Sequence, residues 1–363
     1  PSSPIYNEDG SYNENFNKLY YYNPVEIQNE TIGDTRVNWS RLTGNITVEP
    51  IKGWQTNVML SMKENITRGE TYYTSKYYDQ TQKDVNGYAS KSEGSTRSDN
   101  MEITYKYDFS IKKHHVNALI GYSYLYTVND GFNAGNGDFP TEAYLYNNLG
   151  TGAYLTNEKA PHASMGSYKN DNTLIGFFGR VSYGYDNRYN LMVSVRREGS
   201  SKFGNNNKWG TFPSISAGWT ISNESFMKDV TWLDNLKLRA SWGKLGNQNI
   251  GSSYYPTTQQ LSTGSISMGG NLYTTSAVTS LSNRDLTWET STMTDLGIDL
   301  SLFGCINITA DWYRKITDGI LMKLDIPNHI GMGAPFQNAG KVRNQGWELS
   351  VGYSKKLTRH ISL

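Results

Sequence analysis

Few residues in this sequence could bind a metal, move a proton or attack an electrophile. His114-His115 could hold a metal, but no carboxylate stands at ligand spacing beside the pair. The single cysteine, Cys305, lies in a Phe-Gly-Cys turn with no base close in sequence to activate it. The run from Asp130 to Asp138 has the look of a calcium loop, yet it lacks the bidentate Glu such a loop needs and reads as a flexible Asn/Gly loop. Asn-x-Ser/Thr triplets at Asn45 and Asn307 fall inside strand-like segments and read as chance. No catalytic set, metal site or cofactor site emerges, and an enzyme reading has nothing to rest on.

The sequence is instead rich in aromatic residues, with 27 Tyr and 9 Trp. Tyr72, Tyr73, Tyr77, Tyr78, Tyr144, Tyr146, Tyr254 and Tyr255 fall in polar stretches that read as long loops. There a ring could stack on a sugar face or pack against a partner protein, because Tyr joins an apolar body to a polar tip. The plainer alternative is that these rings pack the loops against one another. A second group, Tyr122, Tyr124, Tyr126, Tyr183, Tyr185, Trp219, Trp242, Trp312 and Trp347, lies in alternating segments on the apolar phase, as membrane-interface anchors do.

The elements that carry these residues alternate with period two. Phe177, Val181, Tyr183 and Tyr185 oppose Gly176, Arg180, Ser182 and Gly184. Leu191, Val193 and Val195 oppose Asn190, Ser194 and Arg196, and Leu236, Leu238, Ala240 and Trp242 oppose Lys237, Arg239, Ser241 and Gly243. Such alternation makes sheets with one apolar and one wet face. Similar segments occur near 36–49, 54–63, 101–109, 116–126, 214–221, 296–302, 306–313 and 347–353. In the first, Val37 and Trp39 are out of phase with Leu42, Ile46 and Val48, which a bulge near Ser40-Arg41 would reconcile. Short turns near 50–53, 111–114, 186–188, 303–305 and 354–357 alternate with long polar connections near 68–99, 128–172, 247–285 and 319–341. Residues 1–34 read as loop.

Short turns at one rim and long loops at the other are the mark of an outer-membrane barrel. The fold expected is therefore all-β, a transmembrane antiparallel β-barrel wall of about twelve strands. Composition agrees: 37% hydrophobic and 13% aromatic residues suit a wall with a wet interior better than a packed core. A net charge of +1 implies no nucleic-acid partner. No apolar run reaches the roughly 18 residues of a spanning helix, which leaves a barrel open. Both ends read as cut from a longer chain. A soluble alternative, a secreted β-rich carbohydrate-binding protein, would bury its apolar strand faces against a second sheet.

The motifs carry a resemblance. Arg196-Arg197-Glu198-Gly199-Ser200-Ser201-Lys202-Phe203-Gly204 resembles the R-x-D-G-S-S-x-F-G signature of SusC/RagA-type TonB-linked outer-membrane transporters, with Glu198 where Asp is usual. Trp209-Gly210-Thr211-Phe212-Pro213, Gly246-Asn247-Gln248, Asp285-Leu286-Thr287-Trp288 and Asn338-Ala339-Gly340-Lys341 follow in that family's order, with Arg284 where Pro is common. The resemblance implies that residues 1–363 are part of one plugged barrel of about 22 strands, with plug, signal peptide and closing strands outside this sequence. It implies import of a large nutrient, an oligosaccharide in the first instance, in the outer membrane of a Gram-negative, Bacteroidetes-like bacterium. A SusD-like surface lipoprotein and TonB with ExbB/ExbD would be the partners, and bound calcium is possible in family members. Peptide, or a siderophore or cobalamin-type ligand, is the alternative cargo.

Overall fold

The computed structural model describes residues 4–13, 23–78, 85–155, 163–251, 254–354, 356–358 and 361–362. A short helix, α1 (Pro24–Glu30), is followed by β1 (Thr31–Ile51), β2 (Trp54–Tyr73), β3 (Tyr88–Ile111), β4 (His114–Gly137), β5 (Ser164–Tyr185), β6 (Tyr189–Ser200), β7 (Trp209–Thr220) and β8 (Leu233–Asn247). Then come β9 (Gln260–Met268), β10 (Asn271–Ser280), β11 (Glu289–Leu302), β12 (Ile306–Asp318), β13 (Leu321–Lys323), β14 (Phe336–Asn338), β15 (Lys341–Tyr353), β16 (Lys356–Thr358) and β17 (Ile361–Ser362). Eleven of these strands form one sheet in the order β1 to β8, β11, β12, β15, and each neighbour whose register is described runs antiparallel. The pairs β9–β10, β13–β14 and β16–β17 stand apart from it. The chain divides into two compact units, one of Pro1–Leu42, Met62–Asp99 and Thr127–Asp171, the other of Thr43–Ser61, Asn100–Tyr126 and Asn172–Leu363.

Alternation decides the faces of the second unit. Phe177, Val181, Val193, Val195, Ile215, Leu296, Ile298 and Leu349 all stand exposed, with Val193 at 46% and Leu349 at 71%. Among the described residues no second sheet covers them, whereas the secreted-protein alternative expects that face buried. The opposite face is polar and bonded to itself. Ser194 and Ser214 share a hydroxyl contact of 2.7 Å, and Arg239 reaches Asp299 at 2.8 and 3.0 Å and Asp311 at 2.9 Å. Gly297 makes that three-strand ion pair possible, because a Cβ there would lie 2.2 Å from the Asp311 carboxylate.

The short turns sit at one end of the strands and are stitched to each other. Asp186 and Asn187 both take φ of 54°, the left-handed conformation that a tight hairpin demands and that Asp and Asn tolerate. Asp186 N–H donates to Lys113 O (2.8 Å), Thr220 N–H to Arg188 O (2.7 Å) and Phe303 N–H to Trp232 O (3.0 Å). Aromatic rings line this rim: Tyr185, Tyr189 and Trp219 follow one another at 6.4 Å. Behind them Glu224 accepts hydrogen bonds from Tyr189 Oη (2.6 Å), Trp219 Nε1 (3.0 Å) and Arg188 Nη1 (3.2 Å). The Tyr189 hydroxyl, then the Trp219 indole, hold its carboxyl below the ordinary range.

Several expectations need correction. The stretches 68–99 and 128–172 are mostly strand: β2 and β3 flank a connection of only 74–87, and β4 and β5 flank one of 138–163. The run from Asp130 lies within β4, so it is no loop. Residues 24–30 are helical, capped by Asn23 accepting from Val25 N–H. The stretch 247–285 contains the β9–β10 hairpin, and 319–341 contains β13 and β14. β1 runs unbroken, and Trp39 lines the same groove as Arg41, so no bulge turns Trp39 toward the apolar phase. Among the described residues the main sheet has eleven strands, in keeping with the expected wall of about twelve. Described residues past 355 pair as β16–β17, and 355, 359–360 and 363 lie outside the described residues.

Two outcomes follow from these faces. Val193→Arg should lower stability in lipid by about 2–4 kcal/mol while Ser194→Arg is tolerated, read from denaturant unfolding in vesicles; equal tolerance would invert the faces. Because the Glu224 carboxyl is held low, it stabilises the fold above the unfolded carboxylate range, and that contribution is lost as pH falls through its folded value. Glu224→Gln should therefore flatten the acid limb of the thermal-unfolding profile.

Candidate functional site

The family-like motifs, scattered over 150 residues of sequence, converge on one small core at the long-loop end of the second unit. Ser200 N–H donates to Lys208 O (3.0 Å), Lys202 N–H to Ser200 Oγ (3.1 Å) and Ser201 N–H to Thr173 O (3.0 Å), while Ser201 Oγ accepts from Thr173 N–H (2.9 Å). The two serines thus close the turn after β6 and tie it to β5. The turn drives Phe203 inward to join Phe212, Ile250, Leu286 and Trp288, all buried. Trp288 is the centre. Its ring lies 5.1 Å from Phe203 and 5.3 Å, edge-on, from Phe212, and its Nε1 donates to Lys208 O at 3.1 Å.

Glycines make this core possible. A Cβ on Gly204 would sit 2.4 Å from Arg284 O, and on Gly210 or Gly246 it would enter the Phe212 ring. Gly199 lies flat under Trp209, whose indole also takes the Arg197 guanidinium at 5.7 Å. Pro213 marks where β7 stops pairing with β8, for that register begins at Ser214. Phe212 uses the gap that opens there. Asn338, from the later motif, accepts from Thr287 N–H (2.9 Å) and donates to Thr287 O (2.8 Å) and Gly319 O (3.0 Å), joining the connection before β11 to the one between β12 and β15. Asn247 donates to Glu289 (3.1 Å), and Gln248 buries its Oε1 without a donor among the described residues.

Arg196 lies outside this core. It pairs with Glu198 at 2.6 Å, donates to Ser123 Oγ at 3.0 Å and covers the Phe178 ring at 5.0 Å. Glu198, which stands where Asp is usual, forms this salt bridge. Lys202 is buried beneath the Tyr254 ring at 5.2 Å, and that burial pushes its ammonium below the ordinary lysine range.

The tyrosines proposed as contacts are dispersed. Tyr72 is fully buried against Ala89 and Phe139, and burial pushes its phenol up to about 12. It has no exposed face to offer a ligand and serves packing. Tyr73 packs against Tyr77 at 4.7 Å and Tyr88 at 6.5 Å. The Tyr78 backbone N–H donates to Glu26. Tyr146 packs on the Tyr72 cluster beneath Lys91, at 5.8 Å, while Tyr144 and Tyr255 stand exposed. His114 Nδ1 meets Tyr183 Oη at 2.7 Å, and His115 Nδ1 meets Ser110 Oγ at 2.6 Å. Trp39 was missed as a candidate because a bulge near Ser40-Arg41 was invoked to bring it onto the apolar phase. Its spacing of two from Arg41 was the available signal.

An antiparallel wall with one lipid-facing and one wet face, rimmed by tight turns at one end and motif-bound loops at the other, defines an outer-membrane barrel protein. The family model for the TonB-dependent receptor-like β-barrel matches residues 2–362, and the chain belongs to that family. TonB-dependent receptor P3 of Formosa agariphila is 31% identical over 360 residues, 99% of this chain and 35% of that protein. TonB-dependent receptor SusC of Bacteroides thetaiotaomicron is 36% identical over 203 residues, 54% of this chain and 20% of that protein. The RagAB peptide transporter shares the fold with a TM-score of 0.82 at 23% identity, over 97% of this chain and 38% of that one. These relatives match the SusC/RagA-type resemblance carried by the motifs. The chain spans about a third of the length of the curated full-chain relatives, at 35% and 36%. The family is one of outer-membrane transporters, not of enzymes.

Trp288→Ala removes the hub of the motif core and should cost about 3–5 kcal/mol. Asn338→Ala should cost about 1–3 kcal/mol through the backbone groups it strands. Both should speed proteolysis of the 248–288 and 319–340 connections in the folded protein. Unchanged cleavage would remove the core's role in holding them.

Proposed function

We propose that this chain forms barrel wall of an importer that carries a large nutrient, an oligosaccharide, across the outer membrane with energy from TonB and ExbB/ExbD. A SusD-like surface lipoprotein would deliver the cargo at the long-loop end, and outer-membrane lipid would cover the apolar face. The reading also takes residues 1–363 as part of one barrel domain of about 22 strands. The observation that carries it is the two-faced wall: exposed Val193, Ile298 and Leu349 on one side, and the Arg239–Asp299–Asp311 ion pairs on the other, in a chain whose family match covers residues 2–362. Lipid demands the first face and a watery lumen the second.

Peptide cargo is the second reading, favoured by the fold shared with the RagAB peptide transporter. A siderophore or cobalamin-type cargo has no specific support in these residues. The test is uptake by cells producing the protein, with labelled oligosaccharide or labelled peptide, in the presence and absence of TonB. Saccharide uptake that disappears without TonB is expected. Peptide uptake alone would replace the cargo, and uptake indifferent to TonB would overturn the mechanism. The SusD-like partner should copurify in mild detergent, and its absence from the purified complex would remove that assignment.

A further inference from the structure

In the first unit, charge is sorted by face. Side-chain contacts fix the register of the long strands: Arg68 meets Glu93 and Lys91 meets Glu70 across β2–β3, while Thr96 meets Asn129 and Ser98 meets Thr127 across β3–β4. Those positions put Lys63 opposite Ser98 and Asn65 opposite Thr96. Near the turn of the β1–β2 hairpin Thr43 meets Ser61, so two residues further along each strand Arg41 stands opposite Lys63 and Trp39 opposite Asn65. Trp39, Arg41, Lys63, Asn65, Thr96 and Ser98 line one groove of about 470 Å³.

Every carboxylate on these strands in this unit is on the other face. There Arg36–Asp34 (2.6 Å), Arg68–Glu93 (2.6 Å), Lys91–Glu70 (2.9 Å) and Arg97–Asp99 (3.1 Å) neutralise one another. The face with the groove is built from Ser, Thr, Asn and Gly, and Arg41 and Lys63 have no ion-pair partner among the described residues. Two like charges directly across a ladder are destabilising, and an anion between them would relieve the repulsion. A flat aromatic ring, Trp39, lines the groove beside the pair, and Tyr168 lies farther along the same face. Trp39 is 72% exposed and Tyr168 54%, and the Tyr168 ring lies over Gly94 and Gly131, where a Cβ at 131 would come within 2.9 Å of it. By strand alternation this face is the one opposite the apolar phase of Leu42, Ile46 and Val48.

We propose that this groove is a subsite for an anionic sugar. A carboxylate or sulfate sits between Arg41 and Lys63, the C–H face of the ring lies on Trp39, and Asn65, Thr96 and Ser98 take its hydroxyls. Charge-assisted bonds from Arg and Lys give the preference for an anion. A peptide fits less well, because its backbone needs main-chain partners and those of β2 and β3 are committed to their neighbours in the sheet. The inference rests on the import reading and names its substrate class.

The test is calorimetry on the protein in detergent with four probes of equal length: an oligogalacturonate, a sulfated oligosaccharide, a neutral oligosaccharide and an oligoglutamate. Both acidic sugars, or one of them, should bind at least tenfold more tightly than the neutral one, and the margin should shrink as salt rises. The better acidic probe identifies carboxylate or sulfate as the group recognised. Arg41→Gln with Lys63→Gln should abolish the margin while neutral binding stays, and Trp39→Ala should weaken every sugar. The double variant should unfold no earlier than the parent, since it relieves a like-charge rung. Neutral sugar bound as tightly as acidic, a margin that survives the double variant, or oligoglutamate bound as tightly as the acidic sugars would each overturn the subsite. Equilibrium binding needs no TonB. Selective binding without TonB-dependent uptake would therefore sink the import reading and spare the subsite, whereas TonB-dependent uptake without acidic selectivity would do the reverse.

Discussion

In hydrocarbon a backbone amide has no water to bond to, and that constraint shapes the whole wall. Each strand of the main sheet must find its partners in its neighbours, and the described registers run almost without a break from β5 to β15. Fixed registers in turn fix which side chains face lipid and which face water. A slip of one residue would send Arg239 and Asp299 into the hydrocarbon and Leu238 and Ile298 into the lumen. The ladders at β1 and β15 form the two edges of the sheet, and in lipid an edge ladder is stable only when paired.

A wall so constrained cannot also hold long connections in place, because its outward side chains are apolar and its inward ones are occupied in cross-strand bonds. The loops are anchored separately. Phe203, Phe212, Leu286 and Trp288 form a core of their own beyond the last ladder bonds of β7 and β8, and Asn338 ties two connections together. This explains why motif residues from Arg196 to Asn338 are so far apart in sequence. Each supplies one part of a single knot: Ser200 and Ser201 the turn, Gly204, Gly210 and Gly246 the close approach, and Trp288 the centre.

The sequence was legible where one face of a strand meets lipid and the other meets water. There Val193 and Ser194 differ in kind, and the period of two is plain. It was illegible where both faces are wet. The extensions of β2, β3, β4 and β5 into the first unit are polar on both sides, so Arg68, Glu93, Asn129 and Gly131 read as loop although all lie in strands of 20 residues or more. Trp39 misled because its phase, which was correct, was explained away by a bulge that the structure does not contain. The motif core was legible as a set of residues, but its geometry was not. Nothing local in Gly204 or Asn338 says that they meet Arg284 O and Thr287.

Charge is handled differently on the two wet surfaces. Around Arg239 the charge is neutralised within the sheet by Asp299 and Asp311, leaving little field to act on a passing solute. Around Arg41 the protein places its carboxylates on the opposite face, where they bond to other cations, and surrounds two cations with neutral amides and hydroxyls. Folding alone gives no reason to set Arg41 against Lys63, since exchanging either for Thr or Ser would continue the pattern of its neighbours and remove a repulsion. An arrangement that costs stability and leaves its charge uncompensated is best understood through what occupies it, and an anion that brings its own flat apolar face accounts for both the cations and Trp39.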